Sequence, residues 1–348
     1  MAQGIPSVSD LLSNSHVVSI PLRGEFRGLS HRETMIFEGD NGPAEWAAFP
    51  EYDDSEAAWW LASAIEQGFS KDLPPLPGDI KHVRINGIIP AVDSVDLPAL
   101  VKKFQGVNSL KVKVAEPGQT TIDDVSRLSR IRQLVGPDVT IRVDANGAWE
   151  VAEAEANLFM FRAFGIDYVE QPVKNLDDMV KIRRRLTGTG IRVAADESLR
   201  KGGDIDAIID SRAADVVILK VNPLGGILRT LEIARKARDA GLGVVVSSGL
   251  ETSVGIAHAV HLQAVLNDRF GGGEDAGLGT LTLFQGDVVT QPLTHTTGAI
   301  PVTPPVLDPR KLKKYRADEE RITWWQDRLR RSYERLDGVS PQFGQGSF

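Results

Sequence analysis

Cysteine is absent from this 348-residue chain. Disulfides, thiolate nucleophiles and cysteine-ligated zinc or iron–sulfur centres are excluded in one step, and a reducing compartment suits the lack. Long apolar runs are missing too. No segment approaches the ~18 consecutive apolar residues of a membrane span, and Met1-Ala2-Gln3-Gly4-Ile5-Pro6 has neither the basic nor the apolar region of a secretory signal. A cytoplasmic location away from membranes is the expectation. Basic excess is also lacking: 40 Lys and Arg against 47 Asp and Glu leave a net charge of −7, so a broad nucleic-acid face is not expected. No protein partner is evident. With 42% hydrophobic and 25% charged residues, the composition is that of a globular protein. At about 150 residues per domain the length implies roughly two domains. Chemistry is left to carboxylates, lysines, hydroxyls and bound metal.

From about Lys81 a single pattern recurs: a short apolar run rich in β-branched residues, a turn, then a helical stretch. The runs are Val83–Ile89, Leu110–Val114, Thr140–Val143, Asp167–Val169, Ile191–Ala194, Asp215–Leu219 and Gly243–Val246, with Leu278–Phe284 as a weaker eighth. Between them lie helical stretches such as Ile122, Val125, Leu128, Ile131 and Leu134 at intervals of three, Gly226–Ala240 and Ser253–Leu266. Apolar runs without alternation suit strands buried on both faces, and about eight strand–helix units point to a closed α/β barrel. A doubly wound open sheet is the other candidate, but Ile89-Pro90-Ala91-Val92-Asp93 is no glycine-rich phosphate cradle.

Residues 1–80 read as a small α+β domain. Short strands are expected at His16–Ile20, Glu33–Phe37 and Ala44–Trp46, with a turn at Gly39-Asp40-Asn41-Gly42. A helix should follow from Asp54-Ser55, and Asp72–Gly78 is a proline-rich linker. The barrel is expected over 81–290. The segment 291–348 should carry one amphipathic helix packing back on the first domain, with Ile322, Trp325, Leu329, Tyr333 and Leu336 on its apolar face and Gly338 as its C-cap. Lys311, Lys313, Lys314 and Arg316 before it read as a solvated helix start.

The informative residues stand at the C-terminal ends of the apolar runs: Lys111-Val112-Lys113, Asp144-Ala145-Asn146, Glu170-Gln171-Pro172, Asp196-Glu197-Ser198, Lys220-Val221-Asn222 and Ser247-Ser248-Gly249. From Lys113 through Asp144, Glu170 and Asp196 to Lys220 the spacings are 31, 26, 26 and 24 residues, each about one βα unit. In a barrel such positions converge on the open mouth, where active sites of this fold lie. Three carboxylates aimed at one point repel unless a cation stands between them, and Mg²⁺ takes oxygen ligands. Asp144, Glu170 and Asp196 are therefore the candidate metal ligands. Lys113 should reach the mouth, Lys111 should lie one layer deeper, and Lys220 should arrive from the far side. A lysine is a base only when neutral, and a cation, a second lysine and burial all favour that state. Two lysines facing each other across a metal suit removal of a proton α to a carboxylate.

These residues resemble the enolase superfamily, in particular its muconate-lactonizing-enzyme subgroup. The stretches Glu45–Asp54, Val217–Lys220, Ser247–Ser253 and Gly277–Thr280 resemble, more narrowly, the o-succinylbenzoate synthase family of menaquinone biosynthesis. The resemblance implies a modified TIM barrel, (β/α)₇β, behind an α+β capping domain. It also implies Mg²⁺ and a small carboxylate substrate, 2-succinyl-6-hydroxy-2,4-cyclohexadiene-1-carboxylate, dehydrated syn to 2-succinylbenzoate. Carried over residue by residue, Lys113 would abstract the α-proton, Lys220 would stabilise the enediolate and Lys111 would tune Lys113. Asn146 and Glu197 would support the metal ligands, Ser247, Ser248 and Gly249 would meet the succinyl carboxylate, and Arg27 would belong to a closing loop. Lysine pairs of this kind also serve N-succinylamino acid racemases, dipeptide epimerases and muconate cycloisomerases, and these remain alternatives.

Other signals carry less. His258 and His261 on one apolar helix read as packing residues, Gly271-Gly272-Gly273 as a loop, and Trp59-Trp60 with Trp324-Trp325 as filling between the first domain and the tail. Ser247 and Ser248 have no His–Asp partners for a nucleophilic triad.

Overall fold

The structure, a computed structural model, describes residues 5–26, 28–200 and 204–339. Arg27 lies outside them. The first part opens with helix α1 (Val8–Ser13) and an antiparallel meander of β1 (Ser15–Phe26), β2 (Leu29–Gly39) and β3 (Gly42–Trp46). Asp40 and Asn41 form the hairpin turn, with Gly39 paired to Gly42. Helix α2 (Asp54–Phe69) begins where the Asp53 carboxylate accepts the Glu56 N–H at 2.7 Å, an N-cap that satisfies one open donor of the first turn.

The alternating part runs β4 (His82–Arg84), β5 (Gly87–Ile89), α3 (Leu97–Lys103), β6 (Ser109–Lys113), α4 (Thr121–Val135), β7 (Thr140–Asp144), α5 (Val151–Phe161) and β8 (Ile166–Glu170). It continues through α6 (Leu176–Arg185), β9 (Arg192–Ala195), α7 (Glu197–Arg200), α8 (Ile205–Ser211), β10 (Val216–Lys220), α9 (Ile227–Asp239), β11 (Gly243–Ser247) and α10 (Ser253–Phe270). Strands β5 to β11 form one parallel sheet in sequence order. Their residues are buried on both faces, which is why the runs are apolar without alternation. No helix among the described residues is long and apolar enough to cross a membrane.

Three expectations need correction. The apolar run Val83–Ile89 is two strands, because β4 pairs antiparallel with β12 (Ala299–Pro301) while β5 enters the barrel sheet. Leu278–Phe284 is no strand; Gly279–Leu283 is a 3₁₀ turn. The sheet is instead closed by Ala276 and Gly277, which bridge in parallel to Ile85 and Ser247. A Cβ at Gly277 would lie 2.6 Å from Ser247 Oγ, so the closing pair carries no apolar signature. The tail, finally, is not one helix. The basic residues Lys311, Lys313 and Lys314 fall on a separate short helix, α11 (Pro309–Lys314), and α12 (Glu319–Tyr333) stops before Leu336. Leu336–Gly338 is a 3₁₀ turn that turns Leu336 and Val339 against Trp59, Ala58 and Ala62 of α2. Gly338 is therefore not a helix C-cap.

Helix α12 does pack on the first part of the chain. Trp325 stacks edge-on against Trp46 at 5.2 Å, and its Nε1 donates to Glu33 at 3.0 Å. Arg328, buried, donates to the carbonyls of Ala48, Phe49 and Tyr52 at 2.8–3.0 Å.

Candidate active site

Strand register assembles the site. Lys113 pairs with Asp144, Asp144 with Glu170, and Glu170 with Ala194, two residues before Asp196. Lys220 pairs with Ser247. Side chains two apart on a strand share a face, so the charged ends point the same way around the rim. A cavity of about 620 Å³, partly open to solvent, is lined by Lys111, Lys113, Asp144, Asn146, Lys220, Ser247, Ser248 and Gly249. Eight sequence-predicted residues thus share one wall.

Glu170, Asp196 and Glu197 are not on that wall. Glu170 is fully buried and accepts Lys111 Nζ at 3.1 and 2.9 Å. Asp196, equally buried, pairs with Lys220. Lys113 Nζ lies 2.6 Å from Asp144 Oδ2 and also donates to Asn146 Oδ1. Asn146 Nδ2 reaches Glu197 Oε1 at 3.3 Å. Ammonium groups therefore stand between the acids, and among the described residues no three His, Cys, Asp or Glu side chains converge closely enough to hold a metal ion.

The electrostatics follow from that packing. Burial pushes the Glu170 carboxyl up to about 7, helped by Asp144 and Asp196 and opposed by Lys111. Burial also acts on Asp144, but Lys113 and Lys111 overcome it and hold that carboxyl well below the usual range. Burial disfavours charge on Lys111, yet Glu170 and Asp144 outweigh it and raise the amine above its ordinary value. Lys111 is a fixed cation here, which suits a partner of the base rather than the base itself.

The serines differ in their engagements. Ser248 Oγ bonds Thr280 Oγ1 at 2.8 Å and Ser247 Oγ faces Gly277 O at 3.4 Å. The Gly249 N–H is already taken by the Glu251 carboxylate.

Several lining residues carried no expectation of a place at the site. Phe49, Tyr52 and Trp60 reach the cavity from the first part of the chain, with ring centroids 5.5–6.2 Å apart. Trp60 thus belongs to the cavity rather than to the tail contact, whereas Trp59 packs beside Leu336 and under the Arg229 guanidinium. The density of aromatics in residues 46–60 of a chain only 6% aromatic was the available signal. Gln171 carries no expected role. Its carboxamide oxygen accepts the N–H groups of Asp196 and Ser198 at 3.1 Å and so seats the end of β9.

Comparison with known proteins decides the family. The family model Enolase C-terminal domain-like matches residues 96–305, and Enolase N-terminal domain-like matches 17–68. An o-succinylbenzoate synthase of Mycolicibacterium smegmatis is 39% identical over 94% of this chain and 98% of that protein. One from Mycobacterium leprae is 40% identical over 95% of each. The chain belongs to the o-succinylbenzoate synthase family of the enolase superfamily. Among solved structures, muconate cycloisomerase from Pseudomonas fluorescens superposes with a TM-score of 0.71 at 19% identity, covering 87% of this chain and 98% of that one. The N-succinyl Arg/Lys racemase of Bacillus cereus gives 0.69 at 20%, covering 88% and 97%. At that identity the likeness is one of fold. His258, buried, lies 3.4 Å from Glu66, and His261 bonds Pro74 O at 2.8 Å.

Proposed function

We propose that the chain dehydrates 2-succinyl-6-hydroxy-2,4-cyclohexadiene-1-carboxylate to 2-succinylbenzoate and water, a step of menaquinone biosynthesis. The observation that carries the reading is a pair of lysines, Lys113 and Lys220, entering one cavity from the ends of β6 and β10 beside buried carboxylates. Lys113 takes the proton from the ring carbon bearing the carboxylate. Lys220, on the far side, offsets the charge of the resulting enediolate. The Lys113 ammonium then returns the proton to the departing hydroxyl on the same face, so one water leaves and the ring becomes aromatic. Phe49, Tyr52 and Trp60 bound the apolar side of the cavity and exclude water from the ring.

The donor types suit a hard divalent cation, three buried carboxylates on adjacent strand ends, but the lysine ammonium groups now between them would have to give way for the three to converge on it. Asp144, Glu170 and Asp196 would hold Mg²⁺, with Asn146 and Glu197 beside them. When bound, the ion supplies positive charge for the substrate carboxylate.

The test is a steady-state assay of the purified chain with that cyclohexadiene acid, run before and after chelation and on Lys113→Ala. Dehydration by the wild type, restored by Mg²⁺ after chelation, and a loss on the order of 10²–10⁴ in kcat for the variant are expected. Full activity in Lys113→Ala removes its assigned role. No dehydration, with exchange of the α-proton in both enantiomers of an N-succinylamino acid, overturns the reading.

A further inference from the structure

Glu251 is a buried carboxylate for which the proposed chemistry has no use. It follows β11 in Ser247-Ser248-Gly249-Leu250-Glu251 and does not line the cavity. Its two oxygens accept the Gly249 N–H at 2.9 and 2.7 Å, and Oε1 also accepts Asn222 Nδ2 at 3.0 Å. Asn222, two residues beyond Lys220, in turn accepts Ser63 Oγ of α2 at 2.9 Å. From β2, Arg32 donates its Nε–H to Leu250 O at 2.9 Å. Arg32, Ser63, Asn222 and Glu251 are all at least 97% buried. Burial raises the Glu251 carboxyl, and the Arg32 charge opposes that shift.

The loop they hold is strained. Leu250 has φ +67°, in the left-handed region that a leucine rarely adopts. On the other side of Gly249, a Cβ would lie 2.5 Å from Trp60 Cη2. Strain of this kind persists where the surroundings over-determine the backbone. Glu251, Asn222 and Arg32 are those surroundings, and Gly249 and Leu250 are cavity wall.

We infer that Glu251, held by Asn222, is a positioning residue that, with Arg32 on the Leu250 carbonyl, sets the Ser247–Leu250 loop in the shape that receives the distal carboxylate of the substrate's acyl chain. This rests on the functional reading above, in which that loop meets the succinyl group. Because Glu251 occupies the Gly249 N–H, the distal carboxylate is received by the hydroxyls of Ser247 and Ser248, which exchange their contacts with Gly277 O and Thr280 Oγ1 for it.

The experiment is calorimetric binding of 2-succinylbenzoate and of 2-butyrylbenzoate, which has a methyl group in place of the distal carboxylate. Wild type should prefer the succinyl compound by about tenfold or more, the scale of a charge-assisted hydrogen bond. In Glu251→Ala the preference should fall to within about threefold while affinity for the butyryl compound holds. Glu251→Gln, which keeps an acceptor for the Gly249 N–H, should recover part of it. Should the alanine variant not fold, the glutamine variant carries the comparison, with a partial loss of preference expected. Unchanged preference in the variants overturns the inference alone, as does equal weakening of both compounds. A wild type that binds neither overturns the functional reading and the inference with it.

Discussion

A single carboxylate, Glu45, shows how much of this molecule is set by residues far from the cavity. It sits on β3, fully buried, and accepts the N–H of Thr252 (3.1 Å), the Thr252 hydroxyl (2.6 Å) and the N–H of Gly255 (2.8 Å) at the start of α10. An acid at a helix N-terminus is favourable, yet burial wins and pushes its carboxyl up to about 7 from 4.5. The unfolded chain releases this proton near the lower value and the folded chain near the higher one. Folded protein therefore binds the extra proton between them, and this group's contribution to stability falls as pH rises from about 4.5 to about 7, then levels off. Glu45→Gln removes that slope. Relative to wild type, the variant should gain on the order of 3 kcal/mol between pH 4 and pH 8, read from urea melts at both. A constant difference across pH would refute the assignment.

At the scale of elements, the N-termini of α9 and α10 are each served by an acid from the first part of the chain. Glu66 of α2 accepts the N–H groups of Ile227 and Leu228, as Glu45 does for α10. The approach to α9 is possible only because its cap is Gly226, with φ +117° and a Cβ position 2.4 Å from Glu66 Oε2. Gly226→Ala should lose roughly 1–3 kcal/mol through backbone strain and overpacking together. A melting temperature within a degree of wild type would contradict this. Strands β5 to β11 were legible as apolar runs because both faces are buried. The barrel's closure was not, since Ala276-Gly277 is too short to carry a period. In α4 the spacing of three marks the helix but not its buried face: at about 100° per residue each step drifts by roughly 60°. Leu128 and Ile131 are accordingly buried while Ile122 is 75% exposed.

At the scale of the whole chain, the tail packs on the N-terminal sheet and helix. Trp325 is fully buried between Trp46 and Glu33, and Arg328 supplies donors to three carbonyls of the segment that carries Phe49 and Tyr52 into the cavity. The last helix therefore shapes the cavity wall from a distance of nearly 280 residues. Trp325→Ala should cost about 3–5 kcal/mol as a large-to-small change in a packed core. It should also open the segment around residues 47–53 to proteolysis before the barrel unfolds. Cleavage confined to the linker at 72–78 would argue against that coupling.

Sequence alone determined the alternation, the charged strand ends and their spacing, because one βα unit has a fixed length and a strand has a fixed two-residue period. Those regularities place Lys113, Asp144, Glu170, Asp196 and Lys220 around one rim. Tertiary structure alone decided which atoms meet there: lysines between the acids, Glu251 on the Gly249 N–H, and aromatic rings from residues 49–60 on the cavity wall. Hydrogen bonds among the described residues join positions up to 327 apart. They depend on how distant segments pack together, and no local pattern encodes that.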